Sequence, residues 1–349
     1  MEKVMIDCER MKYPFSGLAH FCRNLVNKIV EKSANEIDYT IFLPKDLKGC
    51  FGNKANYITV NPLHKLVLPA YRNTIWHATS QVKNYQPAGK NIKKILTIHD
   101  LNFLIEKDSA IKIKKLLNNI QNKIDNADYV SFISEFTLNQ TKEHLNLGDK
   151  ITKVIYNGSE IDVPEILSEP IYVPTKKFLF TIGTILEKKN FHTLPSTIKN
   201  LDIELLIAGD ICSPNYKNII LNEAKKHGVD NRVKIIGPIN HNDKCWYYKN
   251  CLAFAFPSLA EGFGLPPAEA MRFGKPIFLS KHTSLPEIGG NAAYYFNSFD
   301  AEEMAETLEN GLHDFEKNNK TIEILEQSKK FSWTNAADEY IDIYKMLSK

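Results

Sequence analysis

The stretch Pro257-Ser-Leu-Ala-Glu-Gly-Phe-Gly-Leu-Pro-Pro-Ala-Glu-Ala-Met-Arg-Phe-Gly274 decides how the chain is read. Cys251-Leu-Ala-Phe-Ala-Phe256 ahead of it is a short apolar run bounded by Pro257, the pattern of a buried parallel strand. Glu261-Gly-Phe-Gly264 then puts a carboxylate and two glycines at the strand's exit. Pro266 and Pro267 suit the first turn of a helix, where a missing N–H costs nothing, and that helix is expected to run to about Gly274. Its N-terminus would direct backbone N–H groups and partial positive charge above the strand, where an open α/β sheet binds anionic ligands. Glu261 on the loop could accept from the hydroxyls of a sugar, and Glu269, one turn into the helix, from those of a ribose. Each also has a plainer reading: a solvated loop carboxylate for Glu261, an i,i+3 pair with Arg272 for Glu269.

Outward from this stretch the pattern alternates strands with helices, which predicts parallel sheets and an α/β fold. In the first half, strands are expected at Lys3 to Asp7, Asp38 to Leu43, Lys94 to His99, Tyr129 to Ile133 and Lys153 to Tyr156, with Trp76-His77 ending another apolar stretch. Helices are expected near Leu18 to Lys32 and at Ala110 to Ile124, the latter with apolar residues at 113, 116, 117, 120 and 124. Pro164, Pro170 and Pro174 in an aperiodic segment, 162 to 175, read as an interdomain linker. A second series follows with strands at Lys177 to Ile182, Ile203 to Ala208, Val233 to Ile236, Leu252 to Phe256 and Pro276 to Leu279.

At 349 residues the chain has room for two α/β domains with separate cores. There is no secretory-signal pattern and no apolar run of membrane-spanning length, and the six cysteines are scattered without a Cys-x-x-Cys pair. Reduced thiols in a cytoplasmic protein are expected. With 44 basic against 41 acidic side chains the net charge is +3, which gives no reason to expect a nucleic-acid partner. Residues 1–170 are the more basic half. Lys112, Lys114, Lys115 and Lys123 surround the apolar stripe of the 110–124 helix, with Lys90, Lys93 and Lys94 nearby, so a peripheral contact with anionic membrane is one reading and a packed helix with a solvated face the plainer one.

Strand, Pro-Ser, Glu-Gly-Phe-Gly, Pro and Glu in this order resemble the Glu-x7-Glu motif of the retaining glycosyltransferases of family 4. The resemblance implies the GT-B architecture: two Rossmann-like domains facing a cleft, here 1–165 on the acceptor side and 166–330 for the nucleotide sugar, with 331–349, from Phe331-Ser-Trp on, as a terminal helix returning to the first domain. Phe180-Thr-Ile-Gly-Thr-Ile-Leu-Glu-Lys-Lys-Asn190 resembles the family loop that grips the diphosphate, with Lys188 and Lys189 as its cations and Thr184 where many relatives carry arginine. Ser16-Gly-Leu-Ala-His20 resembles the Gly-x-Gly turn, with Ala19 in place of the second glycine; Gly17 is either the site of close backbone approach to the donor or an ordinary left-handed loop glycine.

The resemblance further implies that His99 of His99-Asp100 orients the sugar and relieves charge at the reacting centre, while Asp100 is a cap or turn residue. His77 and Ser134-Glu135 match positions that shape the acceptor side or simply hold the fold. Ile236-Gly-Pro-Ile239 offers an apolar wall to the base, Leu285-Pro-Glu287 packs beneath the sugar, and Asn157-Gly158 makes a tight turn. The expected catalytic residues are thus Glu261, His99 and Lys189. The expected donor-binding residues are Gly17, Thr184, Lys188, Lys189, Ile239, Phe263, Gly264, Leu265 and Glu269. No metal and no other cofactor is expected, since no Asp-x-Asp pair occurs. The implied reaction is metal-independent hexosyl transfer from a nucleotide-diphosphate sugar, GDP-mannose first and UDP- or ADP-hexose next, to a glycan or lipid-linked acceptor in surface polysaccharide synthesis. It would take place in the cytoplasm or at the inner membrane face. A nucleotide-sugar epimerase and a non-catalytic nucleotide-sugar-binding partner are the alternatives.

Overall fold

The computed structural model describes residues 2–66, 68, 69, 74–82, 85, 87, 88, 91–106 and 109–349. Two compact α/β units are formed, one from Met1–Gly158 with Ser332–Lys349, the other from Ser159–Phe331. In the first, β1 (Glu2–Asp7), β2 (Ile37–Leu43), β3 (Asn56–Thr59), β4 (Thr74–Ala78), β5 (Lys93–Ile98), β6 (Tyr129–Phe132) and β7 (Ile151–Val154) lie in the order β3-β2-β1-β4-β5-β6-β7. Each neighbouring pair is parallel. Parallel neighbours need long crossovers, and α1 (Gly17–Ser33), α2 (Ala110–Asp125) and α3 (Glu135–His144) supply three of them.

Helix α1 begins where the Ser16 hydroxyl accepts from the Ala19 amide at 3.2 Å, and it buries Phe21, Cys22, Leu25, Val26, Ile29 and Val30 at helical spacing. Helix α2 departs from expectation. Only Ile120 and Ile124 of its apolar stripe are buried, against Leu96, Ile98, Val130 and Phe132, whereas Ile111 is 84% exposed. Lys123 does not belong to the solvated basic face either. Its ammonium donates to the Gln81 carbonyl, and burial holds it down at about 8. Lys90 lies outside the described residues.

The terminal helix, α9 (Trp333–Ser348), belongs to this first unit and packs on α1. A buried polar chain fixes it to the sheet. His77 on β4 lies 2.7 Å from Tyr344 Oη through Nδ1 and 2.9 Å from Thr97 Oγ1 through Nε2, and Tyr340 Oη lies 3.0 Å from Thr97 and 2.9 Å from Ser131. His77 is therefore a structural residue. So is Ser134, whose hydroxyl caps α3 by accepting from the Thr137 amide. Asn157-Gly158 is not a tight turn; Gly158 is needed because a Cβ there would lie 2.2 Å from the Trp333 backbone nitrogen.

In the second unit, β8 (Phe178–Ile182), β9 (Glu204–Ala208), β10 (Val233–Gly237), β11 (Ala253–Phe256), β12 (Ile277–Ser280) and β13 (Tyr294–Phe296) form a parallel sheet ordered β10-β9-β8-β11-β12-β13. The apolar run of β11, Ala253 to Phe256, is wholly buried, as a strand covered on both faces must be. Helices α4 (Pro214–Lys226), α5 (His241–Asn250), α6 (Leu265–Met271), α7 (Ala301–Asn318) and α8 (Thr321–Lys329) accompany the sheet.

The expected boundary at residue 165 moves to 158/159, and the proline-bearing segment 162–175 is no linker. Ser168 and Ile171 donate their amides to Asn242 and Asp243, and the Glu204 carboxylate accepts from the Tyr172 hydroxyl at 2.6 Å and the Thr175 amide at 2.8 Å. Prolines here shape a segment that side chains from distant elements hold against the second unit.

Candidate active site

The strand order of the second sheet reverses between β8 and β11, and ligands of open α/β sheets bind beyond the carboxyl ends of strands at such a point. Two loops leave these neighbouring strands and are joined there. The Lys188 carbonyl accepts from the Leu259 amide at 2.8 Å, and Lys189 Nζ lies 2.5 Å from Glu261 Oε1. The Lys189 and Glu261 side chains are 12% and 13% exposed, so this ion pair sits largely out of water, where attraction is strong and loss of either partner costly. The Lys189 ammonium also stands 4.9 Å from the centre of the Phe256 ring, a cation–π contact.

Hydroxyls fix the Glu261 loop. Ser258 Oγ lies 2.6 Å from Glu261 Oε1, Thr283 Oγ1 accepts from the Glu261 amide at 3.0 Å, and Ser284 Oγ donates to the Phe263 carbonyl at 2.8 Å. Gly264 turns the chain into α6 with φ of 103°, and a Cβ there would come within 2.8 Å of Leu285, the buried residue that opens the Leu-Pro-Glu segment. Helix α6 is shorter than expected, ending at Met271. Two of its first three residues are prolines, so Leu265 alone among them carries a backbone N–H. The expected cluster of helix-terminal donors is correspondingly thin. The Phe263 ring is buried edge-on against Phe331, which leaves only its backbone for a ligand.

Glu269 does not pair with Arg272. Its two carboxylate oxygens lie 2.9 and 3.0 Å from Lys244 Nζ on α5, and Tyr248 Oη stands 3.2 Å from Oε2. Arg272 turns instead to Ser159 and the Phe331 carbonyl, 2.7 Å from each. Lys244 and Tyr248 have no motif to mark them. Their spacing of four on one helix is the available signal, and it is shared by countless surface pairs. Thr184 follows Gly183 beyond the end of β8 and is half-buried, as is Ile239, which packs against the core just beyond β10.

Gly17 and His99 belong to the other unit. Gly17 is the exposed first residue of α1 and has no positive φ, and a methyl group added to it would meet no atom within 4 Å, so the left-handed reading does not hold. His99 Nε2 lies 2.7 Å from the Thr79 carbonyl, and its ring stands edge-on to Phe21 at 4.7 Å. Because a carbonyl only accepts, Nε2 carries the proton. Burial, only partly offset by that hydrogen bond, lowers the imidazole to about 4. His99 is therefore neutral near pH 7. Asp100 is a turn residue, its Oδ1 accepting from the Asn102 amide at 3.0 Å.

The glycosyl transferases group 1 family matches residues 163–328, the whole sheet just described. O-antigen chain mannosyltransferase B of Escherichia coli is 23% identical over 99% of this chain and 100% of its own length. The serotype-specific mannosyltransferase WbdA of Escherichia coli is 30% identical over 73% of this chain, which spans 34% of that relative's length. Among solved structures, sucrose-phosphate synthase from Thermosynechococcus elongatus superposes with a TM-score of 0.74 at 15% identity, covering 99% of both chains, a likeness of fold. With two Rossmann-like units, a terminal helix in the first, and the Glu-x7-Glu segment at the switch point of the second, the chain is a glycosyltransferase of the GT-B fold whose residues 163–328 match the glycosyl transferases group 1 family.

Proposed function

We propose that the protein is a retaining, metal-independent hexosyltransferase that takes mannose from GDP-mannose and adds it to a hydroxyl of a growing surface glycan. The mannosyl choice rests on the two mannosyltransferase relatives and the guanine on the Glu187-Lys-Lys-Asn190 loop; UDP- and ADP-hexoses are the competing donors. The observation that carries the reading is the Lys189–Glu261 pair, a cation and a carboxylate held 2.5 Å apart by loops from adjacent strands.

Lys188 and Lys189 take the diphosphate, whose charge grows as the bond from the sugar C1 to the diphosphate oxygen breaks. A diphosphate that draws the Lys189 ammonium toward itself releases a Glu261 oxygen to accept from the hydroxyls of the hexose. The backbone of Phe263, Gly264 and Leu265 lies along the donor, and Glu269, oriented by Lys244, accepts from the ribose. The acceptor hydroxyl attacks C1 on the side the diphosphate leaves and passes its proton to the departing oxygen, so the anomeric configuration is kept.

We place the acceptor on a glycan or lipid carrier at the cytoplasmic face of the membrane. No helix among the described residues is long and apolar enough to cross a membrane. The exposed Ile111 flanked by exposed Lys112, Lys114 and Lys115 suits a peripheral contact. The test is a thermal-shift panel of GDP, UDP and ADP with their hexoses, followed by NMR of the transferred sugar in the presence of the preferred donor. A rise in melting temperature with GDP-mannose and an α-linked product from the α-linked donor are expected; inversion, or preference for another base, overturns the assignment.

A further inference from the structure

The chain passes between its two units twice, after Gly158 and after Phe331, and both passages are tied together within the second unit. The Ser159 amide donates to the Phe331 carbonyl at 3.1 Å, and Ser159 Oγ lies 3.1 Å from the carbonyls of both Ser328 and Phe331. Arg272 closes this knot. Its Nε donates to Ser159 Oγ and its Nη2 to the Phe331 carbonyl, each at 2.7 Å, while Glu160 Oε1 stands 3.8 Å away. The planar guanidinium reaches an acceptor on each passage at once, a geometry that a single ammonium does not reproduce.

Arg272 stands immediately after α6, three residues beyond Glu269. The other end of the motif reaches the same place, because the Phe263 ring packs edge-on against Phe331 at 5.4 Å and both rings are buried. Phe331 is thus held by its ring to the turn that follows Glu261 and by its carbonyl to the end of the helix that carries Glu269. A shift of this motif moves both contacts, and both act on the residue from which the chain leaves the unit.

We propose that Arg272 is a positioning residue through which occupancy of the Glu261–Glu269 motif is passed to both chain passages, at Ser159 and at Phe331, and that transfer depends on this coupling. This rests on the reading that the donor nucleotide binds at the motif. It assigns Arg272 no contact with substrate. Its loss therefore lowers turnover while leaving the affinity for free nucleotide diphosphate intact, and the loss is on the order of 10²-fold, the scale expected when reacting groups are misplaced by about 1 Å.

The experiment compares the wild-type chain with Arg272→Ala and Arg272→Lys by hydrogen exchange with and without GDP, and by steady-state transfer with GDP-mannose. GDP is expected to slow exchange at 159–161 and 331–332 in the wild type and not in Arg272→Ala. The Ala variant should keep its thermal shift with GDP, lose kcat rather than raise the donor KM, and recover activity on addition of guanidinium at tens of millimolar; the Lys variant should fall between. Equal slowing at both passages in the Ala variant, or a kcat loss that neither guanidinium nor lysine restores, overturns the inference. Absence of a wild-type thermal shift with GDP, UDP and ADP alike removes the donor reading itself and this inference with it.

Discussion

Lys244 Nζ lies 2.9 and 3.0 Å from the two carboxylate oxygens of Glu269, and each side chain is only 14% exposed. A carboxylate held this way is oriented before any ligand arrives, which lowers the ordering cost of binding. The same burial makes it dependent on its partner. Replacing one member of a buried pair strands the other charge, at a cost of about 3–5 kcal/mol.

Lys244→Met is therefore expected to lower the urea midpoint and to weaken GDP binding, because Glu269 is left both unpaired and free to turn. The double variant Lys244→Met/Glu269→Gln should recover most of the stability and none of the affinity. Urea titration and the GDP thermal shift measure the two separately. A double variant that binds GDP like the wild type would remove Glu269 from the nucleotide site.

Glu261→Gln keeps the shape of the side chain and its contact with Ser258, yet deprives Lys189 of its counter-charge. Transfer should drop by about 10²–10³-fold, the scale for loss of one preorganised electrostatic group. GDP should bind at least as well, since the Lys189 ammonium no longer has a competing carboxylate. EDTA should leave wild-type transfer unchanged. Near-normal turnover in the variant, or a strict need for added Mg²⁺ or Mn²⁺, contradicts the proposed division of labour.

The exposed start of α2 supports a third expectation. Wild-type protein should sediment with anionic vesicles at low salt and be released at high salt, with roughly 1 kcal/mol of binding lost for each of Lys112, Lys114 and Lys115 changed to glutamine. Lys93 and Lys123 are engaged by Asp128 and by the Gln81 carbonyl, and their neutralisation should matter less. Protein that stays in the supernatant at low salt places the acceptor elsewhere.

What is legible in the sequence is what is encoded locally. The Glu261–Glu269 segment and the Lys188-Lys189 loop each leave the end of a buried strand, so their residue types and spacing are visible without knowing what they face. The ion pair between them joins positions 72 apart, and only the pairing of β8 with β11 brings it about. Helix α3 carries no such signal, because its buried face includes Thr137 and Thr141 rather than an apolar stripe. Strands β3 and β13 are four- and three-residue edge strands with no clean alternation. The proline-bearing segment 162–175 is opaque for a further reason: its hydrogen-bond partners, Glu204, Asn242 and Asp243, lie far along the chain, and composition alone does not distinguish a held segment from a linker.

Three buried groups in the first unit make stability depend on pH. Burial raises Asp7 to about 7, reinforced by the Glu9 carboxylate and opposed by the Glu9 amide, Lys123 and Arg10. The folded chain thus keeps the Asp7 proton up to about pH 7, whereas the unfolded chain loses it near 4, so this group withdraws stability as pH rises from about 4 to about 7. His77 and His99 act in the opposite sense. Burial lowers them to about 3 and about 4, so the unfolded chain takes up protons below pH 6.5 that the folded chain refuses, and their contribution is lost as pH falls from 6.5 toward those values. Two histidines outweigh one aspartate, and acid should destabilise the unit on balance. Asp7→Asn isolates the first effect. Relative to wild type it should be neutral near pH 4, gain stability steadily to about pH 7, and hold a constant advantage above that of at most about 4 kcal/mol, from about 1.4 kcal/mol per pH unit over the displaced range. Urea midpoints at about pH 4.5, 6 and 8 decide it: an Asn variant that loses ground to wild type as pH rises would mean that Asp7 is ionised in the folded protein and stabilised by Lys123 and Arg10 after all.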